Sequence, residues 1–387
     1  MEETGMEIDE STIPAIPNSQ SFKRLGIKNS IQTNFGDDYV FQIDLSQESS
    51  TMAVSLSTNT VKLYSPGTGQ YLGECKGHSE TINQISFSAP SSPYVLHSCS
   101  SDGTVRAWDT RTLEQVSLLS TASAQEVFSF SFGGSNGYLL AAGCKSQILF
   151  WDWRNVKQVA CLEESHVDDV TQVHFVPDQR SKLISASVDG LICIFNTDGN
   201  ISDDDHLESV MNVGTSIGKV GFFGEMNQKL WCLTHIETIS VWDWRNGDLE
   251  ANFENARSLA SNKWTQDHVD YFVDCHYSGA NDSLCVIGGT NSGSLAYFPI
   301  DYEVKAIGSP EAIFEGGHTG IVRTVFPMSE IYGGQAPGRG LFGWTGGEDG
   351  RLCCWLSDES SDLNSSWISN ALVFKSSRTH KIRHRPY

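Results

Sequence analysis

An aromatic residue closes a short, alternating apolar run seven times along this chain, at Tyr64, Trp108, Trp151, Phe195, Trp242, Phe298 and Trp355. The intervals are 44, 43, 44, 47, 56 and 57 residues. A period of that size means one supersecondary unit repeated, each copy too small to bury its own apolar faces. Within the second copy, Ile82–Phe87, Tyr94–Ser98, Thr104–Trp108 and Val116–Leu119 read as four short strands. In four copies a glycine stands five residues before the aromatic (Gly103, Gly190, Gly293 and Gly350), as a tight turn into the third strand requires. No segment of 12 residues holds a 3.6-residue apolar period, so ordinary helices are not expected.

A four-stranded antiparallel unit needs neighbours on both faces, and radial packing around an axis supplies them while leaving only short edges. The sequence therefore predicts an all-β, seven-bladed β-propeller over residues 21–375. A polar, disordered tail is expected at 1–20 and a basic tail at 376–387. Ser21–Ile27 is expected to return as the outer strand of the last blade, with Ala371–Phe374 as its competitor.

The formal charge of −21, from 47 acidic and 26 basic residues, narrows the partners. Such a surface repels phosphate backbones and anionic lipid, so nucleic acid is expected only through the basic tail, Lys375 to Arg385. That tail reads equally as a nuclear address, an RNA contact or a solvated end. Ten cysteines show no C-x-x-C pair and no zinc-ligand spacing, and several sit in apolar runs. Reduced, buried thiols are expected, with no metal and no cofactor. The acidic start, Met1 to Asp9, does not read as a signal peptide, and no apolar run approaches the ~20 residues that span a bilayer. These features predict an intracellular protein of the cytoplasm or nucleus, monomeric within larger complexes.

Gly77-His78 at the head of the second copy and Trp108-Asp109 at its end resemble the paired signatures of WD repeats. Gly317-His318 with Trp355, Ser165-His166 with Phe195-Asn196, and the dipeptides Trp151-Asp152 and Trp242-Asp243 extend the resemblance over about residues 38–356. Along its whole length the chain is similar to the WD repeat-containing protein 89 group and the plant growth regulators of Gigantus type. The stretches that carry this are His166–Val173, Val286–Asn291 and Thr345–Asp349. The resemblance implies an interaction scaffold that regulates plant growth, development and germination through ribosome biogenesis, with ribosome-assembly factors among its partners.

Three copies bring together residue types that also make hydrolytic triads. They are His78, Ser98, Asp102 and Trp108; His166, Ser185, Asp189 and Phe195; and His318, Thr345, Asp349 and Trp355. A catalytic site occurs once, whereas this set recurs at the repeat period. WD repeats use it as a hydrogen-bonded chain, so the sets read as structural tetrads and no enzyme is expected. Phe195 has no N–H, so its tetrad should stop at the hydroxyl. The other copies carry Thr58, Lys145, Ile236 and Ser292 in place of the turn aspartate, and those blades are expected to rest on packing alone. Gly133–Gly137 matches G-x-S-x-G, but a strand-like run follows it where a nucleophile elbow needs a helix.

Three copies end in W-D-x-R, placing Arg111, Arg154 and Arg245 just after the third strand as candidate docking residues. Leu96–Arg111 resembles the box by which some WD proteins attach to the adaptor of cullin ubiquitin ligases. Arg111 carries the weight of that reading, because only its copy also has the turn aspartate, Asp102. The bland alternative is an arginine paired with an acid of the neighbouring blade.

Overall fold

The structure, a computed structural model, describes residues 23–32, 37–46, 48–87, 92–122, 124–199, 201, 206–279, 282–327 and 341–357. The tails expected at 1–20 and 376–387, and Ala371–Phe374, lie outside them.

Each sequence repeat folds as one antiparallel sheet. In blade 2 the strands are Ile82–Phe87, Val95–Ser100, Thr104–Asp109 and Glu114–Ser120, joined in that order. Blades 1, 3, 4 and 5 repeat this four-strand order. Most second strands are almost wholly buried, as in Thr51–Leu56, while that of blade 4, Gln179–Ala186, is buried only in its second half. The outer strands of blades 1 to 5 are largely exposed, as in Glu114–Ser120, whereas Ala312–Phe314 of blade 6 is buried. Burial therefore grades outward along those five sheets, because inner and middle strands are covered by blades on both sides. Between blades 1 and 2, for example, Val61, Leu63 and Cys75 pack against Ile82, Ile85, Leu96 and Trp108.

The seven first strands contact one another in a closed ring. Each presents a free edge inward, and an unpaired backbone N–H is costly. Side chains of the preceding blade satisfy part of that edge. Thr324 Oγ1 accepts from Ile43 N (3.2 Å), Gln42 Oε1 from Ile85 N (2.8 Å) and Asp44 Oδ2 from Phe87 N (2.7 Å). Gln84 Oε1 accepts from Phe130 N (2.7 Å), Ser131 Oγ from Phe175 N (3.0 Å) and Glu237 Oε2 from Phe272 N (2.7 Å). Thr171 Oγ1 donates to Ile217 O (3.0 Å), and Tyr271 Oη accepts from Val322 N (2.7 Å). Every junction of the ring is bridged by at least one such bond. Blades without a turn aspartate therefore do not rest on packing alone.

The N-terminal strand, Lys23–Gln32, pairs antiparallel with Arg351–Ser357 and completes blade 7. Its first residues, Lys23 to Leu25, also pair in parallel with Ala312–Phe314 of blade 6. Blades 6 and 7 thereby become one nine-stranded sheet.

The expectation that no ordinary helix occurs is corrected. The long interval between Trp242 and Phe298 contains a helix, Ala256–Lys263, in the connection from blade 5 to blade 6. Only Ala256 and Ala260 of it are buried, and eight residues are too few for a helical period to register over a 12-residue window.

Candidate partner-docking site

Antiparallel alternation sorts the loops onto two rims. One rim carries the histidine-bearing connections between blades and the turns after each second strand. The opposite rim carries the W-D-x-R turns after each third strand.

On the histidine rim, His78 Nδ1 lies 2.8 Å from Asp102 Oδ2 and Nε2 lies 2.7 Å from Ser98 Oγ. Trp108 Nε1 donates to the same Ser98 oxygen at 2.8 Å. Since the carboxylate only accepts, His78 carries its proton on Nδ1, and the Ser98 hydroxyl donates to Nε2. Burial pulls the His78 pKa below its usual value against the opposing pull of Asp102, so the ring is neutral at pH 7. For Asp102, burial pushes upward, but bonds from Thr104 and His78 hold the carboxyl below its usual value. In blade 7, His318 bonds Asp349 (3.0 Å) and Thr345 (2.7 Å), and Trp355 Nε1 donates to Thr345 at 2.7 Å. In blade 4, His166 bonds Asp189 (2.9 Å) and Ser185 (2.7 Å), with Phe195 offering no donor. Ser98, Ser185 and Thr345 are fully buried. A substrate carbonyl cannot approach hydroxyls so enclosed, and in blades 2 and 7 the oxygen already accepts an indole N–H.

On the opposite rim, Arg111 Nε and Nη2 bond Asp109 Oδ1 and Oδ2 at 3.0 and 2.6 Å, and the guanidinium lies 4.8 Å from the Tyr94 ring centroid. The Arg111 bonds hold the Asp109 carboxyl down to about 2. Arg154 repeats the fork on Asp152 at 3.1 and 2.9 Å and lies 3.5 Å over Tyr138. Arg245 bonds Asp243 more loosely, at 3.5 and 3.3 Å. The acid in each case belongs to the arginine's own W-D dipeptide and not to a neighbouring blade. All three arginines are about half exposed. A guanidinium fixed in one plane by its own acid and an aromatic loses little freedom when it meets a partner.

Two relatives decide the family. "WD repeat-containing protein GTS1" of Arabidopsis thaliana is 65% identical over 374 residues, covering 95% of this chain and 94% of that protein. "WD repeat-containing protein 89 homolog" of Dictyostelium discoideum is 33% identical over 295 residues, covering 76% and 79%. The chain belongs to the WD-repeat family.

A sequence profile described as "Nucleolar protein 10-like, N-terminal domain" matches residues 37–212 of this WD-repeat chain. Among solved structures, a chain of "Crystal Structure of Mitotic Checkpoint Complex" superposes with a TM-score of 0.65 at 15% identity, covering 92% of this chain and 98% of that one. That likeness concerns the seven-bladed fold alone. Among the described residues, no helix is long and apolar enough to cross a membrane, and no three His, Cys, Asp or Glu side chains group as metal ligands. The G-x-S-x-G serine, Ser135, bonds Asp198 at the rim between blades 3 and 4. The inner-strand acceptors Gln42, Asp44, Gln84, Ser131 and Thr324, and Glu237 in the turn after the second strand of blade 5, escaped the sequence reading. Their only sequence signal is a polar residue in a first strand or, for Glu237, in a turn.

Proposed function

We propose that this WD-repeat protein is a non-catalytic interaction scaffold that regulates plant growth, development and germination through ribosome biogenesis, acting in the nucleus or cytoplasm. The observation that carries the scaffold reading is the contrast between the two rims. The hydroxyls that mimic a catalytic set are sealed, while the half-exposed W-D-x-R arginines are held ready for a partner. The similarity over 374 residues to the Arabidopsis relative supports the growth-regulator reading, and the nucleolar-protein profile supports the ribosome link. Affinity capture of the tagged full chain from seedling extract, followed by mass spectrometry, tests it. Ribosome-assembly factors are expected, and a capture with no specific protein would refute the scaffold reading.

A second reading, a substrate receptor docked on a cullin adaptor, is favoured by blade 2. There Arg111 is the most exposed of the three arginines, in the only copy that also has the turn aspartate. Arg111→Ala is expected to abolish capture of the adaptor with the melting curve unchanged, and Arg154→Ala and Arg245→Ala to do much less. Equal loss of fold and binding would make Arg111 a brace of its turn.

A further inference from the structure

Among the described residues, the position five after the closing aromatic takes a left-handed backbone in four blades. It is Gly69 (φ 68°) in blade 1 and Gly247 (φ 75°) in blade 5, as such a turn favours. In blades 2 and 3 it is Leu113 (φ 65°) and Val156 (φ 54°). A β-branched residue in that region is a strained choice, and strain of this kind points to a use.

For Leu113 the use is visible. Its side chain lies over Gly73 of blade 1, so closely that a Cβ on that glycine would stand 2.4 Å from Leu113 Cδ1. Leucine and glycine together seal the junction of blades 1 and 2. At the next junction the position of Gly73 is held by Ser117, and the strained residue is the shorter Val156. The seal fails. A groove of about 280 Å³ opens there, with Val116 (56% exposed), Trp153 (37%) and Val156 (49%) among its walls.

The lining also sets the sign of the occupant. Among the described residues no carboxylate side chain lines this groove, in a chain with 47 acidic and 26 basic residues, and Arg106 and Arg154 stand in its wall. Arg154 is the arginine stacked closest on its tyrosine, at 3.5 Å. An apolar slot with a fixed guanidinium complements an aliphatic side chain beside a carboxylate. We infer that the groove between blades 2 and 3 is a docking site for an extended acidic–aliphatic peptide segment of a partner protein, anchored by Val156 and Arg154. This rests on the scaffold reading and narrows its docking surface from three arginines to the junction of blades 2 and 3.

The test uses the full-length protein and two fluorescein-labelled mixtures of 12-residue peptides. One is built from Leu, Val, Gly, Asp and Glu; in the other, Lys replaces Asp and Glu. Fluorescence polarisation is expected to show binding of the acidic mixture only, weakened at least tenfold by Arg154→Ala and by Val156→Gly. The glycine variant matters most, because glycine relaxes the turn and the melting temperature should hold or rise. Equal binding of both mixtures, no binding of the acidic one, or binding indifferent to Val156→Gly would overturn the proposal. Self-association in sedimentation that is lost in Val156→Gly would give the groove to a second copy and overturn it too. If seedling capture retrieves the same partners with Val156→Gly as with wild type, only this site fails and the scaffold reading stands.

Discussion

At the scale of single residues, the molecule places polar groups where strands alone would leave backbone or indole N–H groups unpaired. Trp108 gives its indole proton to Ser98, so Trp108→Phe removes that bond and some buried volume. The expected loss is about 1–3 kcal/mol, read from denaturant midpoints, with circular dichroism unchanged. Asp44 behaves in the opposite sense to most carboxylates. Enclosure between the inner strands of blades 1 and 2 pushes its pKa up to about 6, against the lowering bond from Phe87 N. A raised folded pKa adds stability that is complete below the unfolded value and lost as pH rises through 6. Asp44→Asn keeps an acceptor for Phe87 N without the charge. It should therefore stabilise the fold by about 1–2 kcal/mol at pH 7.5 and bring no gain at pH 4. Equal effects at both pH values would show that charge is not the cause. The tetrads were legible in the sequence because four residue types recur together at one period. Asp44 was not, because its partner is a backbone amide one repeat away, and a backbone amide leaves no mark in a sequence.

Among the strands and helices, the ring depends on its first strand. Lys23–Gln32 supplies the outer edge of blade 7 and joins it to blade 6 through Lys23 to Leu25. Deleting residues 1–32 strips two blades of ladder bonds at once. It is expected to lower the melting temperature by roughly 5 °C, if the loss is ~3–5 kcal/mol in a domain of this size. Proteolysis should then cut first next to Arg351–Ser357. An unchanged melting temperature would mean that another segment closes the ring. The N-terminal strand was legible as a candidate because six complete repeats and one short by a strand leave a single vacancy. The helix Ala256–Lys263 was not legible: its buried face is two alanines four apart, too short an apolar stripe to stand out. Its place is fixed by tertiary bonds, such as Val269 N to Ser261 Oγ at 3.0 Å.

For the whole molecule, a ring bridged at every junction should unfold as one unit, and its histidines set the acid limit. Burial holds His97 at about 3, and His174 and His276 at about 4. Burial also lowers His78 and His166. The unfolded chain binds protons on these rings near pH 6.5, whereas the folded ring resists them. Stability is therefore full above pH 6.5 and falls as pH drops below it, by up to about 1.4 kcal/mol per pH unit for each histidine. Asp44 and Glu237, both raised by burial, pull the other way over part of that range, but they are two groups against five. Urea midpoints measured from pH 7.5 to 4.5 should fall steadily below 6.5, with tryptophan fluorescence and far-ultraviolet circular dichroism changing together. His97→Gln removes one ring that takes up a proton on unfolding, and its slope against pH should be shallower than that of the wild type. Stability that rose on acidification would contradict the burial argument, and two separated transitions would contradict the single ring.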